Sequence, residues 1–205
     1  MSDVKGQDEQ GRKLEDIRKE SESKLCPVQK SLYFVSEFLA GPMCGKCYPC
    51  ALGTNEARIR LVRLSQHLPG VSEEDIATVR RIAEQMVVGS FCKKGKDTGK
   101  FLLEVLDASG DEFSEHASGV CQKKECLSLV EYVINSDLCV ICGKCAETCK
   151  YGAILGEKAK PYRTGYPPFE IRQKRCVKCG ECVDVCPTGA IEVTTIEVEE
   201  LVGTE

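Results

Sequence analysis

A cysteine run occurs twice in the last third of the chain. Residues 139–154 are CVICGKCAETCKYGAI and residues 176–191 are CVKCGECVDVCPTGAI, so the second copy begins thirty-seven residues after the first. Each copy spaces its cysteines as C-x2-C-x2-C-x3-C, which wraps three thiolates around one iron-sulfur cubane while the fourth begins a helix that points elsewhere. Zinc, the alternative for these eight cysteines, prefers paired C-x2-C units with two ligands from a distant segment. The repeat therefore predicts two 4Fe-4S clusters.

The repeat resembles the two-cluster bacterial ferredoxins, in which the fourth cysteine of each run ligates the other cluster. The resemblance implies one cubane on Cys139, Cys142, Cys145 and Cys186, and a second on Cys176, Cys179, Cys182 and Cys149. Pro187 follows Cys186 as the family pattern requires, whereas Lys150 stands at the matching position after Cys149. The segment between the runs, Tyr151 to Arg175, is rich in proline and aromatic residues and predicts a hairpin-like insertion.

Bulk composition excludes several classes of protein. The chain has 205 residues, 42% of them hydrophobic and 29% charged, which is ordinary for a globular protein. Its charged first 24 residues contain no apolar signal region, so fifteen cysteines indicate metal binding in a reducing cytoplasm and not disulfides. No stretch is long and apolar enough for a membrane span, and a net charge of -4 without a dominant basic patch gives no support for nucleic-acid binding.

Helical periodicity dominates residues 27 to 117. Apolar residues recur at helical spacing from Pro27 to Leu39, again after residue 50, and along a segment that Ser72 opens in capping-box style. Lys100 to Leu106 and Asp111 to Ala117 predict one or two further short helices. The predicted fold class is α+β, with a small helical bundle followed by a two-cluster ferredoxin-like domain.

A third cysteine run lies inside this bundle. Cys44, Cys47 and Cys50 form C-x2-C-x2-C, but residues 51–54 offer no thiol, so the fourth ligand must come from a distant segment. Cys92, in GSFC after the next long helix, is the candidate for completing a third 4Fe-4S site.

These residues resemble a known family. MCGKCYPC at 43–50, GSFC at 89–92, Glu112-Phe113 and His116 look like the iron-sulfur helical domain at the end of the complex I flavoprotein subunit. The related electron-bifurcating hydrogenase subunit also ends in a two-cluster ferredoxin. The sequence has no glycine-rich flavin loop and no dinucleotide-binding unit, so we expect that the NADH-oxidising part of the family is missing.

Three cysteines remain after twelve are assigned to cubanes. Cys121 and Cys126 form a C-x4-C pair, His116 precedes it by five residues, and Cys26 stands before the first bundle helix. Together they would make a Cys3His zinc site that pins the junction between the two domains. The alternatives are buried free thiols with His116 on the surface, or a 2Fe-2S centre.

The sequence thus predicts five segments. They are a charged leader that is disordered or docks a partner (1–24), the bundle with one cluster (25–117), a zinc-binding junction (118–137), the ferredoxin-like domain (138–195) and an acidic tail (196–205). With three 4Fe-4S clusters, one zinc ion and no catalytic site of its own, the chain is expected to serve a multisubunit oxidoreductase of anaerobic type. The resemblance implies three kinds of partner: a flavin- and NAD(P)-binding subunit, ferredoxin, and a hydrogenase or formate dehydrogenase subunit. It leaves open whether the complex bifurcates electrons. The alternatives are a free-standing ferredoxin-like carrier and a zinc-dependent scaffold or regulatory protein.

Overall fold

A computed structural model describes residues 12–160 and 165–196 and divides the chain into two compact units. The first unit, Met1–Cys126, is helical, and the second, Leu127–Glu205, combines short helices with two small antiparallel sheets. The predicted α+β class is confirmed. No helix within the described ranges has the length and apolar character that crossing a membrane requires.

From residue 12 onward, the first unit consists of six helices. Their core contains Phe34 stacked on Phe101, with ring centroids 3.8 Å apart, and the fully buried side chains of Leu61, Met86 and Phe113. The helices are α1 (Leu14–Ser21), α2 (Pro27–Ala40), α3 (Tyr48–Gln66), α4 (Glu73–Gly89), α5 (Lys93–Ala108) and α6 (Gly110–Ala117).

The start of α4 is tied to α3 by a buried carboxylate. Ser72 and Asp75 form the predicted capping box, in which the Ser72 backbone N–H donates to Asp75 Oδ2 at 3.1 Å. The other carboxylate oxygen accepts from Arg60 at 2.8 Å and from Arg63 at 3.2 Å, both on α3. Burial raises the pKa of Asp75, but these hydrogen bonds and charges outweigh burial and hold it below its ordinary value.

Helix α5 begins well before the predicted Lys100. Cys92 is its N-cap, and its first two turns contain Gly95 and Gly99, which are poor helix formers. Both are buried where α5 packs closely: a Cβ on Gly99 would lie 2.6 Å from the Ala83 carbonyl oxygen of α4. The glycines therefore reflect close approach of backbones and do not interrupt the helix.

The predicted leader is helical where the structure describes it. Residues 1–11 lie outside the described ranges, but α1 packs against α2 and its Ile17 is fully buried. From residue 12 onward this segment is part of the helical unit and is not disordered. The predicted acidic tail lies outside the described residues from 197 onward.

The second unit has an internal two-fold pattern of elements. The outer pair of antiparallel strands joins the two ends of this unit, with Ile134 opposite Ile191. The inner pair, with Ile154 opposite Ile171, confirms the hairpin predicted between the cysteine runs. The elements are β1 (Val130–Ile134), α7 (Lys144–Thr148), β2 (Ile154–Leu155), β3 (Glu170–Ile171), α8 (Glu181–Asp184) and β4 (Ile191–Thr195). Residues 161–164 of the hairpin loop, with the predicted aromatic Tyr162, lie outside the described ranges.

Candidate metal centres

The third cysteine run lies at one end of the helical unit. Cys47 is the N-cap of α3, Cys50 lies in its first turn, and Cys92 is the N-cap of α5. Cys47 and Cys50 are buried, whereas Cys44 is exposed. Burial raises the pKa of Cys50 to about 11, and the nearby thiols of Cys47, Cys92 and Cys44 add to this rise. Cys50 is therefore close enough to the other three predicted ligands to feel their charge, although more than forty residues separate it from Cys92.

A glycine allows the two cysteine segments to meet. A Cβ built on Gly95 would lie 2.7 Å from Ser90 Oγ and 3.3 Å from Cys50 Sγ. Any side chain at this position of α5 would push the segment that carries Cys92 away from Cys50. The sequence pattern did not identify this residue as part of the site.

The two ferredoxin-type runs share one backbone conformation. The residue before each second cysteine is left-handed, with φ of 52° at Ile141 and 59° at Lys178, and so is the following glycine, with φ of 79° at Gly143 and 83° at Gly180. Left-handed residues make the loop turn tightly, and glycine adopts this conformation without a steric penalty. Each loop therefore curls its cysteines toward a common centre before the short helix begins.

Two cavities lie beside these loops, and each is lined by cysteines from both runs. The first is lined by Cys139, Cys142, Cys145 and Cys186. The second is lined by Cys149, Cys176, Cys179 and Cys182. These are the two sets of four that the ferredoxin resemblance implies, with the fourth cysteine of each run beside the other run's cavity.

Both cavities have mostly apolar walls, and tyrosines contribute to the second one. The first is lined by Ile134, Phe169 and Ile191, which shield it from water. The second is lined by Tyr132 and Tyr151, and the Tyr132 hydroxyl would lie 3.7 Å from a Cβ on Gly180. Beside each cavity, the fourth cysteine of one run accepts a hydrogen bond from the backbone N–H of the residue four positions later. Ala153 donates to Cys149 Sγ at 3.4 Å, and Ala190 donates to Cys186 Sγ at 3.3 Å. Such hydrogen bonds and exclusion of water set the potential of a bound cluster.

A separate group of four ligands is buried in the helical unit. Cys26 is the N-cap of α2, His116 lies in the last turn of α6, and Cys121 and Cys126 flank a tight turn with left-handed Lys124. All four are buried, and their ligand atoms lie within 4.8 Å of one another. His116 is therefore buried, which contradicts the alternative that placed it on the surface beside free thiols.

The distances in this group fit one tetrahedral ion. Cys26 Sγ lies 3.8 Å from Cys126 Sγ, and His116 Nε2 lies 3.5 Å from Cys126 Sγ and 3.2 Å from Cys26 Sγ. A regular zinc tetrahedron with bonds of about 2.3 Å to sulfur and about 2.0 Å to nitrogen has sulfur-sulfur edges of about 3.8 Å and sulfur-nitrogen edges of about 3.5 Å. A 2Fe-2S centre spreads its ligands over two irons and suits such close packing less well.

Surrounding groups orient these ligands. His116 Nδ1 lies 2.6 Å from the Glu112 carbonyl oxygen, which can only accept, so Nδ1 carries the proton and Nε2 of the neutral ring faces the sulfurs. The Glu125 carboxylate accepts from the Leu25 and Cys26 backbone N–H groups at 3.1 and 2.7 Å, and Gln29 Nε2 donates to Cys126 Sγ at 3.4 Å. These supporting contacts join segments about a hundred residues apart, and the sequence pattern gave no signal for them.

The electrostatics of the group favour a cation. Hydrogen bonds from Cys126 and Cys26 lower the pKa of Cys121 and so stabilise its thiolate. Burial lowers the pKa of His116, but its hydrogen bonds with Cys121 and Cys26 outweigh burial and raise it to about 10. Without an ion, the imidazole holds a proton beside the thiolate. A cation that displaced this proton would leave the neutral Nε2 and the thiolate as ligands, which is the donor chemistry of a zinc site.

Two protein-family models match the chain. Residues 30–116 match the NADH-ubiquinone oxidoreductase-F iron-sulfur binding region, and residues 138–190 match the 4Fe-4S dicluster domain. One curated relative is the NADP-reducing hydrogenase subunit HndC of Solidesulfovibrio fructosivorans, which is 27% identical over 138 residues, or 67% of this chain. The chain spans only 28% of the length of that relative.

The two matched regions coincide with the two groups of cysteine sites described above, the first in the helical unit and the second around the paired cavities. The chain therefore combines a region that matches the NADH-ubiquinone oxidoreductase-F iron-sulfur binding region with a region that matches the 4Fe-4S dicluster domain, and part of it is similar to a hydrogenase subunit.

Proposed function

We propose that this chain is the iron-sulfur relay of a multisubunit oxidoreductase. It passes single electrons between a flavin- and NAD(P)-binding partner and either ferredoxin or a catalytic subunit of the hydrogenase or formate dehydrogenase type. The observation that carries the proposal is that eight cysteines line two cavities in two sets of four, in a region that matches the 4Fe-4S dicluster domain. The third set, near Cys50 in the helical unit, lies in the region that matches the second iron-sulfur family model.

Each group has the donor set of a 4Fe-4S cluster, which supplies one-electron steps when bound. The chain's own residues hold the ligands, exclude water and donate hydrogen bonds to sulfur. The proposed ligand sets are Cys44, Cys47, Cys50 and Cys92; Cys139, Cys142, Cys145 and Cys186; and Cys176, Cys179, Cys182 and Cys149.

The fourth site, Cys26, His116, Cys121 and Cys126, is proposed as structural zinc. It has four protein ligands and no open coordination position, and zinc has no accessible second oxidation state, so the site takes no electrons. Cys26 lies between α1 and α2 and Cys126 ends the helical unit, so one ion would join segments 100 residues apart in that unit. Metal binding energy becomes folding energy in such a site.

The zinc proposal is tested by replacing one ligand and one neighbour in the same loop. Cys121→Ser should remove about one zinc per chain and lower the stability of the helical unit while leaving iron unchanged. Gln122→Ser, at an exposed position of that loop, should keep the metal. Loss of iron in the cysteine variant would mean that the site holds an iron-sulfur centre, and wild-type protein without stoichiometric zinc would reject the site.

The relay is tested by purifying the native complex anaerobically and identifying its companions. We expect a flavoprotein that oxidises NADH or NADPH, together with a metal-containing catalytic subunit. The isolated chain, reconstituted with its clusters, should stay oxidised with NADH or NADPH alone and become reduced when the flavoprotein is added. Rapid reduction of the isolated chain by either nucleotide would contradict the division of labour proposed here.

A further inference from the structure

The end of the helical unit that carries Cys44 and Cys92 exposes large apolar side chains. Tyr48 is 81% exposed, Val88 is 84% exposed and Phe91 is 86% exposed. Tyr48 begins α3, and the other two flank the end of α4. Apolar side chains so fully exposed and close together on a folded unit mark an interaction surface.

Packing places these side chains on one face. A Cβ on Gly89 would lie 3.0 Å from Pro49 Cγ, so the end of α4 lies against the start of α3. One turn into α5, Gly95 touches Ser90 and Cys50. We call this face, formed by residues 44–49 and 88–96, the cysteine face.

Exposed lysines lie close in sequence to the cysteines of this face, and two of them, Lys93 and Lys94, also line a cavity beside α1. Lys46 follows Cys44 by two residues, and Lys93, Lys94 and Lys96 follow Cys92 directly; all four are exposed. None of them has a carboxylate within 4.0 Å in the part of the chain that the structure describes. The chain as a whole is acidic, with a net charge of -4, so this face carries positive charge against the overall balance.

Three of these lysines occupy an electrostatically unfavourable position. Helix α5 has 16 residues, and its first turns contain Lys93, Lys94 and Lys96 with no acidic residue in the first turn. A helix N-terminus carries about half a positive charge, so cations there are destabilising unless a nearby anion offsets them. The proposed cluster on Cys92 is one such anion, and an acidic docked partner would be a second.

We propose that the cysteine face docks an acidic electron-carrier protein. The inference rests on the proposed relay function and adds the place and the charge of one partner. Exposed Cys44 puts the proposed bundle cluster near the surface, where a carrier's own centre can approach it closely. An apolar centre with a charged rim is the usual anatomy of a transient protein interface, and complementary charge raises the rate of encounter.

The test measures association, not electron transfer. The probe is a small acidic 2Fe-2S ferredoxin in its oxidised state, mixed with cluster-loaded protein by stopped flow at ionic strengths of about 0.01 M and about 0.15 M. For the wild type we expect the association rate constant to fall about tenfold or more at the higher ionic strength. A basic cytochrome c should show no such fall.

Charge reversal on the face gives the decisive comparison. Lys93→Glu with Lys94→Glu should remove the salt dependence and slow association about tenfold or more at low salt. The variant should fold, because glutamate is favoured in the first turn of a helix. Arg58→Glu with Arg81→Glu changes the charge equally, about 12 Å along α3 and α4 from the cysteine face, which exceeds the Debye length of about 8 Å at about 0.15 M ionic strength. At that ionic strength it should retain most of the wild-type rate, whereas Lys93→Glu with Lys94→Glu should still be slower.

Three results would overturn the proposal. The first is an equal association rate constant for the two double variants, and the second is a single-stranded oligonucleotide that binds as fast as the ferredoxin. The third is that the lysine substitutions change the reduction potential of the cluster but leave the association rate constant unchanged. The last would mean that Lys93 and Lys94 only offset the charge of the cluster. If the docking fails while the flavoprotein still reduces the clusters, the relay stands and only this face loses its role.

Discussion

Gly95 and Gly99 lie one turn apart on α5, and alanine at each should have a different consequence. Alanine in a helix interior is favoured over glycine by about 1 kcal/mol. A Cβ at Gly99 would lie 2.6 Å from the Ala83 carbonyl oxygen and 3.0 Å from Met86 Cβ, both on α4. Backbone cannot yield easily, and overpacking costs about 1–3 kcal/mol, occasionally more.

Gly99→Ala should therefore lower the free energy of unfolding of the helical unit by a net of about 1–2 kcal/mol, because the overpacking exceeds the gain in propensity. A Cβ at Gly95 meets different atoms: Ser90 Oγ and Cβ at 2.7 and 2.8 Å, and Cys50 Sγ at 3.3 Å. Gly95→Ala should displace the segment that carries Cys92 and lower the iron content from about twelve toward about eight per chain.

The assay combines urea unfolding with anaerobic iron and sulfide analysis and electron paramagnetic resonance of the reduced protein. Gly99→Ala serves as the matched control, since it should lose stability and keep its iron. Full iron, an unchanged spectrum and unchanged stability in Gly95→Ala would refute the close packing between α5 and the cysteine segments.

Two further predictions concern the ferredoxin-type unit and the α3–α4 contact. Cys149→Ser should alter the spectrum of the cluster held by Cys176, Cys179 and Cys182 and not that of its own run; the reverse result would reject crossed ligation. Folding lowers the pKa of Asp75 below its ordinary value of 3.8. The Asp75 carboxylate therefore stabilises the fold at pH values above its unfolded pKa, and this contribution is lost as the pH falls through the lower, folded pKa. Asp75→Asn should lower the free energy of unfolding at neutral pH by about 1–3 kcal/mol and should make that free energy less dependent on pH in acid. Urea unfolding at several pH values measures this, and a pH dependence equal to that of the wild type would contradict the prediction.

The cysteine runs could be recognised from the sequence because the spacing of cysteines within a short segment indicates which kind of metal centre they can bind. A run of C-x2-C-x2-C needs a tight loop whatever surrounds it, and the position of Cys92 at the end of the next long helix makes it the candidate for the distant fourth ligand. The capping box at Ser72 is local in the same sense, and the structure contains it.

Other features could not be predicted because they depend on contacts between distant segments. Gly95 and Gly99 resemble a break in a helix unless the neighbouring α4 and the Cys50 segment are known. Likewise, the charged α1 appears solvated in sequence, but its single apolar stripe places Ile17 against the bundle. The carboxylate of Glu125 reaches the Cys26 backbone across 99 residues, a separation at which no sequence pattern operates.

The number of metal ions per chain tests the central claim most directly. Anaerobically purified protein should contain about twelve irons and about twelve acid-labile sulfides, together with about one zinc. About eight irons would mean that Cys44, Cys47, Cys50 and Cys92 hold no cubane, and zinc in place of iron and sulfide would contradict the electron-relay account as a whole.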